Sequence, residues 1–303
     1  GTGFTEWTNV TAAKPRFEGH YQPRLPGVLG FYDLRRKETL EEQIALAKHA
    51  GIYGFCMHHY WFHGHTIMRT PLEHFKNNPS LDFPFCLHWA NEPWTRRWNG
   101  SNKDVIIDQL YSPADDLAFI EDIDWALRDK RYMKFQGKPM LGIYRPDLFP
   151  NITRSVELWR DYCRTNGIGE IFLFASLAFS STAEQHTDFG FDASVEYPPH
   201  KIATPRVNYE YVDKGLDYFG FIRSYKHARN YFLDITNTDY STPVFRGVMP
   251  GWDNTARSYD AGQLYAEATP QTYGEWLDIA VNRAKNDSYA GEKHVFINAW
   301  NEW

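Results

Sequence analysis

One glutamate near the end of the sequence sits among tryptophans and amides: Asn298-Ala299-Trp300-Asn301-Glu302-Trp303. Apolar surroundings penalise the charged form of a carboxylate and raise its pKa, which prepares it for proton transfer near neutral pH. Indole faces beside amides and a carboxylate suit a sugar ring, whose C–H faces are apolar and whose rim carries hydroxyls. The competing reading is a structural carboxylate paired with an arginine.

Similar groups recur along the chain. The run His58-His59-Tyr60-Trp61-Phe62-His63-Gly64-His65 carries enough nitrogen donors for zinc. These histidines are not spaced i, i+4 on a helix, and no cysteine joins them. Hydrogen bonding of His58, His59 and Tyr60 to sugar or carboxylate is therefore favoured over a metal. Trp89, Asn91 and Glu92 form a second group, with an ion pair from Glu92 to Arg96 or Arg97 as the alternative. Tyr144, Arg145 and Glu196 are further candidates for sugar contact. Trp252 and Asp253 belong to a pocket or to a turn capped by the aspartate. Glu6 and Trp7 either close one rim of a cleft or pin a long first loop.

These residues need a scaffold that gathers them. Most of them follow a short apolar, β-prone run, at 52–57, 83–87, 140–143, 193–195, 244–248 and 295–297, with a further run at 171–175. Such runs read as strands buried on both faces. Between them lie amphipathic helices, predicted over 33–50, from Thr70-Pro71, from Ser112-Pro113 to about 130, over 153–166, and from Thr269-Pro270. Residues 1–30 read as irregular, and 201–240 as less regular with a helix near 218–231.

Buried strands alternating with helices imply a parallel sheet. Polar and aromatic residues gathered after the strands' carboxyl ends fit an α/β, (β/α)8 TIM-type barrel, whose chemistry sits at that rim. With seven strands predicted, the barrel is expected to be truncated at both ends, lacking its first strand and last helix. The alternative is an open doubly wound sheet, but no Gly-x-Gly-x-x-Gly or phosphate loop follows any strand. No linker or repeat divides the sequence, so residues 1–303 read as a single domain.

Composition sets bounds. A length of 303 residues can bury a sizeable core. A net charge of -6 gives no basic surface for nucleic acid. No run of eighteen apolar residues suggests a membrane span. Cys56, Cys86 and Cys163 are odd in number and widely spaced, and read as small buried hydrophobes. The 11 Trp, 19 Tyr and 21 Phe fit either a large aromatic core or sugar-binding surfaces.

Several stretches together resemble one family: Gly3-Phe-Thr-Glu-Trp-Thr-Asn-Val10, Phe17-Glu-Gly-His-Tyr-Gln-Pro-Arg-Leu-Pro26, Gly30-Phe-Tyr-Asp-Leu34, Gly51-Ile-Tyr-Gly-Phe55, His59-Tyr-Trp-Phe62, Trp89-Ala-Asn-Glu-Pro-Trp-Thr-Arg-Arg-Trp98, Phe191-Asp-Ala193, Glu196-Tyr-Pro-Pro-His200 and Asn298 to Trp303. They look like the WbsX-type, glycoside hydrolase family 99-like domains of bacterial polysaccharide gene clusters. The resemblance spans essentially the whole chain. A second Asn usual in the Trp-Ala-Asn-Glu segment is Pro93 here.

The resemblance implies retaining chemistry on α-linked glycans, as in endo-α-mannosidases, through a Glu-x-x-Glu motif. The first Glu, matched by Glu302, deprotonates the sugar 2-hydroxyl. That oxygen attacks the anomeric carbon to give a 1,2-anhydro sugar. The second Glu would fall two residues beyond Trp303, so residues 1–303 alone are expected to be inactive. No metal or organic cofactor is implied. The partner expected is an oligosaccharide or polysaccharide. The alternatives are a glycosyltransferase of O-antigen or capsular polysaccharide assembly and a catalytically dead sugar-binding domain. A place in polysaccharide biosynthesis would favour the cytoplasm. Against a nucleotide-sugar enzyme, Asp122-Ile-Asp124 lies in a predicted helix and no Asp-x-Asp ends a strand.

Overall fold

A computed structural model describes residues 5–95, 105–202, 204–211, 218–235, 240 and 242–301. Seven strands run parallel in chain order across one sheet: β1 Phe55–Phe62, β2 Phe85–Trp89, β3 Lys138–Ile143, β4 Phe172–Leu177, β5 Ala193–Glu196, β6 Val244–Val248 and β7 Val295–Ile297. His65–Ile67 folds back antiparallel on β1. A separate parallel ribbon joins Phe221–Ser224 to Gln263–Ala266.

The helices are α1 Glu6–Ala12, α2 Lys37–His49, α3 Thr70–Asn77, α4 Pro113–Arg128, α5 Ile152–Thr165, α6 Ala183–Asp188, α7 Asn208–Tyr211, α8 Tyr225–Ile235, α9 Thr255–Ser258 and α10 Pro270–Asn286. Side-chain oxygens accept orphan amides at the starts of α4, α5 and α10: Ser112 from Asp115 N–H, Asn151 from Arg154 N–H and Thr269 from Thr272 N–H, each at 3.1 Å. Gly51 and Gly167, both at φ 74°, turn the chain out of α2 and α5 in a conformation that L side chains rarely adopt. Among the described residues, no helix is long and apolar enough to cross a membrane.

Several expected boundaries move. The strand expected over 52–57 runs from Phe55 to Phe62, so His58 and His59 lie within it rather than beyond its end. Its ladder to β2 continues through His58 beside His88 and His59 beside Trp89. α1 forms inside the stretch expected to be irregular. The helix expected near 218–231 begins at Tyr225, and Phe221–Ser224 before it is a strand. β7 is half-buried rather than buried on both faces, because among the described residues only β6 pairs with it.

The sheet separates two aromatic layers. On its outer face Trp89 stacks on Phe119 of α4 with ring centroids 4.0 Å apart and meets Trp159 of α5 edge-on. On the inner face Phe174, Phe245 and Phe296 from β4, β6 and β7 pack together. That inner packing requires the sheet to curl. In a flat sheet, β1 and β5 would stand about 19 Å apart, four spacings of about 4.8 Å. Instead Tyr197, one residue past β5, reaches His58 of β1 at 3.1 Å. Trp300, past β7, packs on Phe55 at the start of β1 with centroids 5.3 Å apart. The architecture is thus a curled α/β sheet compatible with the expected barrel. Among the described residues no strand pairing closes it.

Candidate active site

The inner face changes character from one end of the strands to the other. Its lower part is the phenylalanine plug. Above it, toward the carboxyl ends, stand His58, Tyr60, His88, Tyr144, Tyr197 and His200. Successive strand residues point to opposite faces, so His58 and Tyr60 share the inner face of β1.

His88 is the floor of this cup. Its ring stacks on Phe174 at 6.1 Å and on Tyr197 at 5.8 Å, and its Nε2 hydrogen-bonds Ser176 Oγ at 2.9 Å. Burial, and then the neighbouring His58, hold its imidazole well below the usual histidine range. A neutral His88 cannot serve as a cation at neutral pH, but it offers a fixed hydrogen-bonding ring. Two tyrosine–histidine pairs rise above it. Tyr197 Oη hydrogen-bonds His58 Nε2 at 3.1 Å, and Tyr144 Oη hydrogen-bonds His200 Nε2 at 3.0 Å. The two tyrosine rings lie 5.4 Å apart. Phenol and imidazole groups on aromatic faces can bind a sugar by its hydroxyls and its C–H face together.

Alternation sends three candidates the other way. His59 faces α4, where its Nε2 lies 3.3 Å from Asp122 Oδ2 and its ring meets Phe119. Trp89 is fully buried between the sheet and the helices, its Nε1 donating to Trp61 O. Glu196 points away from the cup to accept from Arg246 and from the Gly247 amide. These three side chains are held on the helix side of the sheet, turned away from the cup. The same alternation breaks up the histidine run as a metal site, since His58 and His59 lie on opposite faces. His63, in a turn at φ 44°, lies 3.6 Å from Asp115.

The rim loops are tied by polar residues whose groups are largely committed. Asn91 is buried, donates to Tyr111 Oη and Arg145 O, and accepts from Arg145 N–H. Arg145 bridges Glu92 Oε1 at 2.7 Å and Asp147 Oδ2 at 2.8 Å, with its guanidinium over the Phe179 ring. Glu92 therefore pairs with Arg145; Arg96 and Arg97, the partners expected from the sequence, lie outside the described residues. Asn91, Glu92 and Arg145 brace the loops after β2 and β3 above the cup.

Asp253 is likewise enclosed. Its Oδ2 takes His20 Nε2 and Gln22 Nε2, each at 2.9 Å, and its Oδ1 takes Thr255 Oγ1 at 2.6 Å. It anchors the loop 16–26 rather than facing the cup. Trp252 packs on the outer cluster of Tyr225, Val248, Met249, Tyr265 and Trp276. Trp7 donates its Nε1 to Tyr32 O at 3.1 Å and so pins the first loop, while Glu6 is exposed. Trp300, 38% exposed, sits on Phe55, and Asn301 beside it is exposed. Glu302 and Trp303 lie outside the described residues. Asp122 and Asp124 lie in α4 as expected, paired with Arg69 and Arg128.

The cup thus gathers His58, Tyr60 and Tyr144 of the expected residues. It adds His88, Ser176, Tyr197, His200 and Asn298, whose Nδ2 donates to Pro198 O at 2.5 Å. Tyr197 and His200 were in plain view in Glu196-Tyr-Pro-Pro-His200. The signal was alternation: if the carboxylate at a strand end turns outward, its neighbour turns in.

A curled parallel sheet with a polar aromatic cup at its carboxyl ends is an α/β architecture compatible with a barrel whose chemistry sits at that rim. The chain belongs to the family described as Glycosyltransferase WbsX, whose model matches residues 1–303. It is 41% identical over its full length to the uncharacterized protein WxcX of two strains of Xanthomonas campestris pv. campestris, and spans 43% of the length of those relatives. Among solved structures it is similar to the GH99 endo-alpha-mannosidase from Bacteroides thetaiotaomicron, with a TM-score of 0.57 and 13% identity, covering 92% of this chain and 71% of that one. It is also similar to a glycoside hydrolase-like protein, with a TM-score of 0.57 and 13% identity, covering 99% of this chain and 90% of that one.

Proposed function

We propose that this chain carries the sugar-binding cup of a carbohydrate-active enzyme acting on α-linked glycans in bacterial polysaccharide metabolism. The observation that carries this reading is the convergence of Tyr197–His58 and Tyr144–His200 over His88 at the carboxyl ends of the strands. Two phenol–imidazole pairs on one aromatic floor match the mixed apolar and hydroxylated surface of a pyranose. Glu302 follows β7 by five residues and is the proposed base. In the chemistry that the family resemblance implies, it takes the proton of the 2-hydroxyl. The 2-oxygen then forms the bond to the anomeric carbon as the bond to the leaving oxygen breaks. A separate acid protonates that oxygen.

The family's description as a glycosyltransferase favours a second reading, chain extension from an activated sugar. One experiment separates the two. The full-length protein and its Glu302→Gln variant are incubated with α-manno-oligosaccharides and with bacterial polysaccharide, without nucleotide sugar, and products are followed by mass spectrometry. Cleavage that disappears in the variant supports hydrolysis at Glu302. Absence of cleavage, with extension once nucleotide- or lipid-linked sugars are added, overturns the hydrolase reading in favour of transfer.

A further inference from the structure

We infer that Glu196 is a positioning residue, whose outward carboxylate sets where Tyr197 and His200 stand inside the cup. The inference rests on the reading of that cup as the working site. The backbone ladder between β5 and β6 ends at Val195 beside Phe245. One residue further on, a side chain takes over the work of the ladder. Glu196 Oε2 accepts the Gly247 amide at 2.9 Å, and Oε1 accepts from Arg246 Nη1 at 3.2 Å. Arg246 is itself held, donating Nε to Asp287 Oδ2 at 3.0 Å at the end of α10.

The approach of the two chains here leaves no slack. A Cβ on Gly247 would stand 2.1 Å from the Glu196 carbonyl oxygen and 2.9 Å from Pro198 Cδ. On the far side of the segment, Asn298 Nδ2 donates to Pro198 O. Residues 196–200 are therefore clamped to β6 by Glu196 and to the end of β7 by Asn298. Two side chains of this clamped segment enter the cup, Tyr197 against His58 and His200 against Tyr144. No residue separates the anchor from Tyr197. A displacement of the carboxylate therefore passes directly to the phenol, and misplacing a group in a site by about 1 Å can cost on the order of 100-fold in rate.

A Gln at 196 can still accept the Gly247 amide, but its NH2 then faces the Arg246 guanidinium, donor against donor. The test is NMR of the imidazole groups in the chain labelled on histidine nitrogen, with no glycan present. In Glu196→Gln, the His58 and His200 signals are expected to shift while that of His49, at the end of α2, stays in place. Asp287→Asn, which loosens Arg246 without touching Glu196, is expected to shift the same two signals in the same direction and by less. A folded Glu196→Gln variant with wild-type His58 and His200 signals overturns the inference. If that variant does not fold, Asp287→Asn decides in the same way. Because the readout needs no substrate, it is independent of whether the enzyme hydrolyses or transfers.

Discussion

Gly142 has two rings where a side chain would be. A Cβ there would lie 2.5 Å from His88 Cδ2 and 2.5 Å from Phe174 Cζ. The stack that makes the cup floor thus crosses β3 only because β3 offers bare backbone. Gly142→Ala is predicted to cost about 1–3 kcal/mol by overpacking, read as a lower denaturant midpoint, and to displace His88 from Ser176. Wild-type stability in this variant would mean that the floor is looser than described. Asp253 gives a second prediction at this scale. Burial raises its pKa, but hydrogen bonds from His20 and Thr255 outweigh burial and bring it from 3.8 down to about 2. A depressed carboxylate stabilises the fold above its unfolded pKa, and that stability is lost as pH falls through the folded value. At about 1.4 kcal/mol per unit the contribution is roughly 2 kcal/mol at neutral pH. Unfolding curves of Asp253→Asn and wild type should therefore differ at pH 7 and converge between pH 4 and 2. A gap that stays constant would contradict this. At the scale of single residues the sequence was only partly legible. Asp253, Asn91 and Arg145 look like site residues because they are polar and follow strands. Their actual partners, His20, Tyr111 and Asp147 among them, come from other elements or from the far side of a turn, and no local pattern announces those pairings.

Elements were more legible where local chemistry specifies them. Ser112-Pro113 and Thr269-Pro270 each read as a cap followed by a proline that needs no amide partner, and each begins a helix. Thr269→Ala is predicted to cost about 1 kcal/mol of stability by leaving the Thr272 amide unmet. An unchanged denaturant midpoint would show that solvent satisfies that amide equally well. The carboxyl half of β1 was not legible. Its inner face is polar because it lines the cup, so a rule that ends strands at polar residues ends this one early. The ribbon of Phe221–Ser224 and Gln263–Ala266 was missed because its partners lie some forty residues apart. Glu196 shows an element's end recorded in a titration. Burial pushes its carboxyl up to about 7, against the lowering effects of Arg246 and the Gly247 amide. Arg283 and Tyr240 also lie within its electrostatic reach. A raised carboxyl contributes its stability fully below the unfolded value of 4.5 and loses it as pH rises through about 7. Urea unfolding from pH 4.5 to 8 should show this slope in wild type and not in Glu196→Gln. Equal slopes would remove Glu196 as the titrating group.

The whole molecule works by turning one sheet into two environments. Its outer face carries the helices and the Trp89–Phe119–Trp159 cluster, and its inner face carries a phenylalanine plug beneath a tyrosine–histidine cup. Curling is what makes the cup, since it brings the end of β5 to β1 and Trp300 to Phe55. The alternation of apolar runs with amphipathic helices foretold the parallel sheet. The curl depends on contacts between strands far apart in order, which periodicity cannot report. The central claim is that the cup binds a glycan, and the most direct measurement is titration of the protein with an α-manno-oligosaccharide by calorimetry or ligand-observed NMR. Binding is predicted to weaken by about two- to tenfold in Tyr197→Phe and in Tyr144→Phe, each loss being that of a hydrogen bond to the ligand or to a histidine that holds it. It should be unchanged in His49→Ala, which alters an exposed histidine at the end of α2. Saturable binding that both cup variants leave at wild-type strength would place the glycan elsewhere and contradict the account.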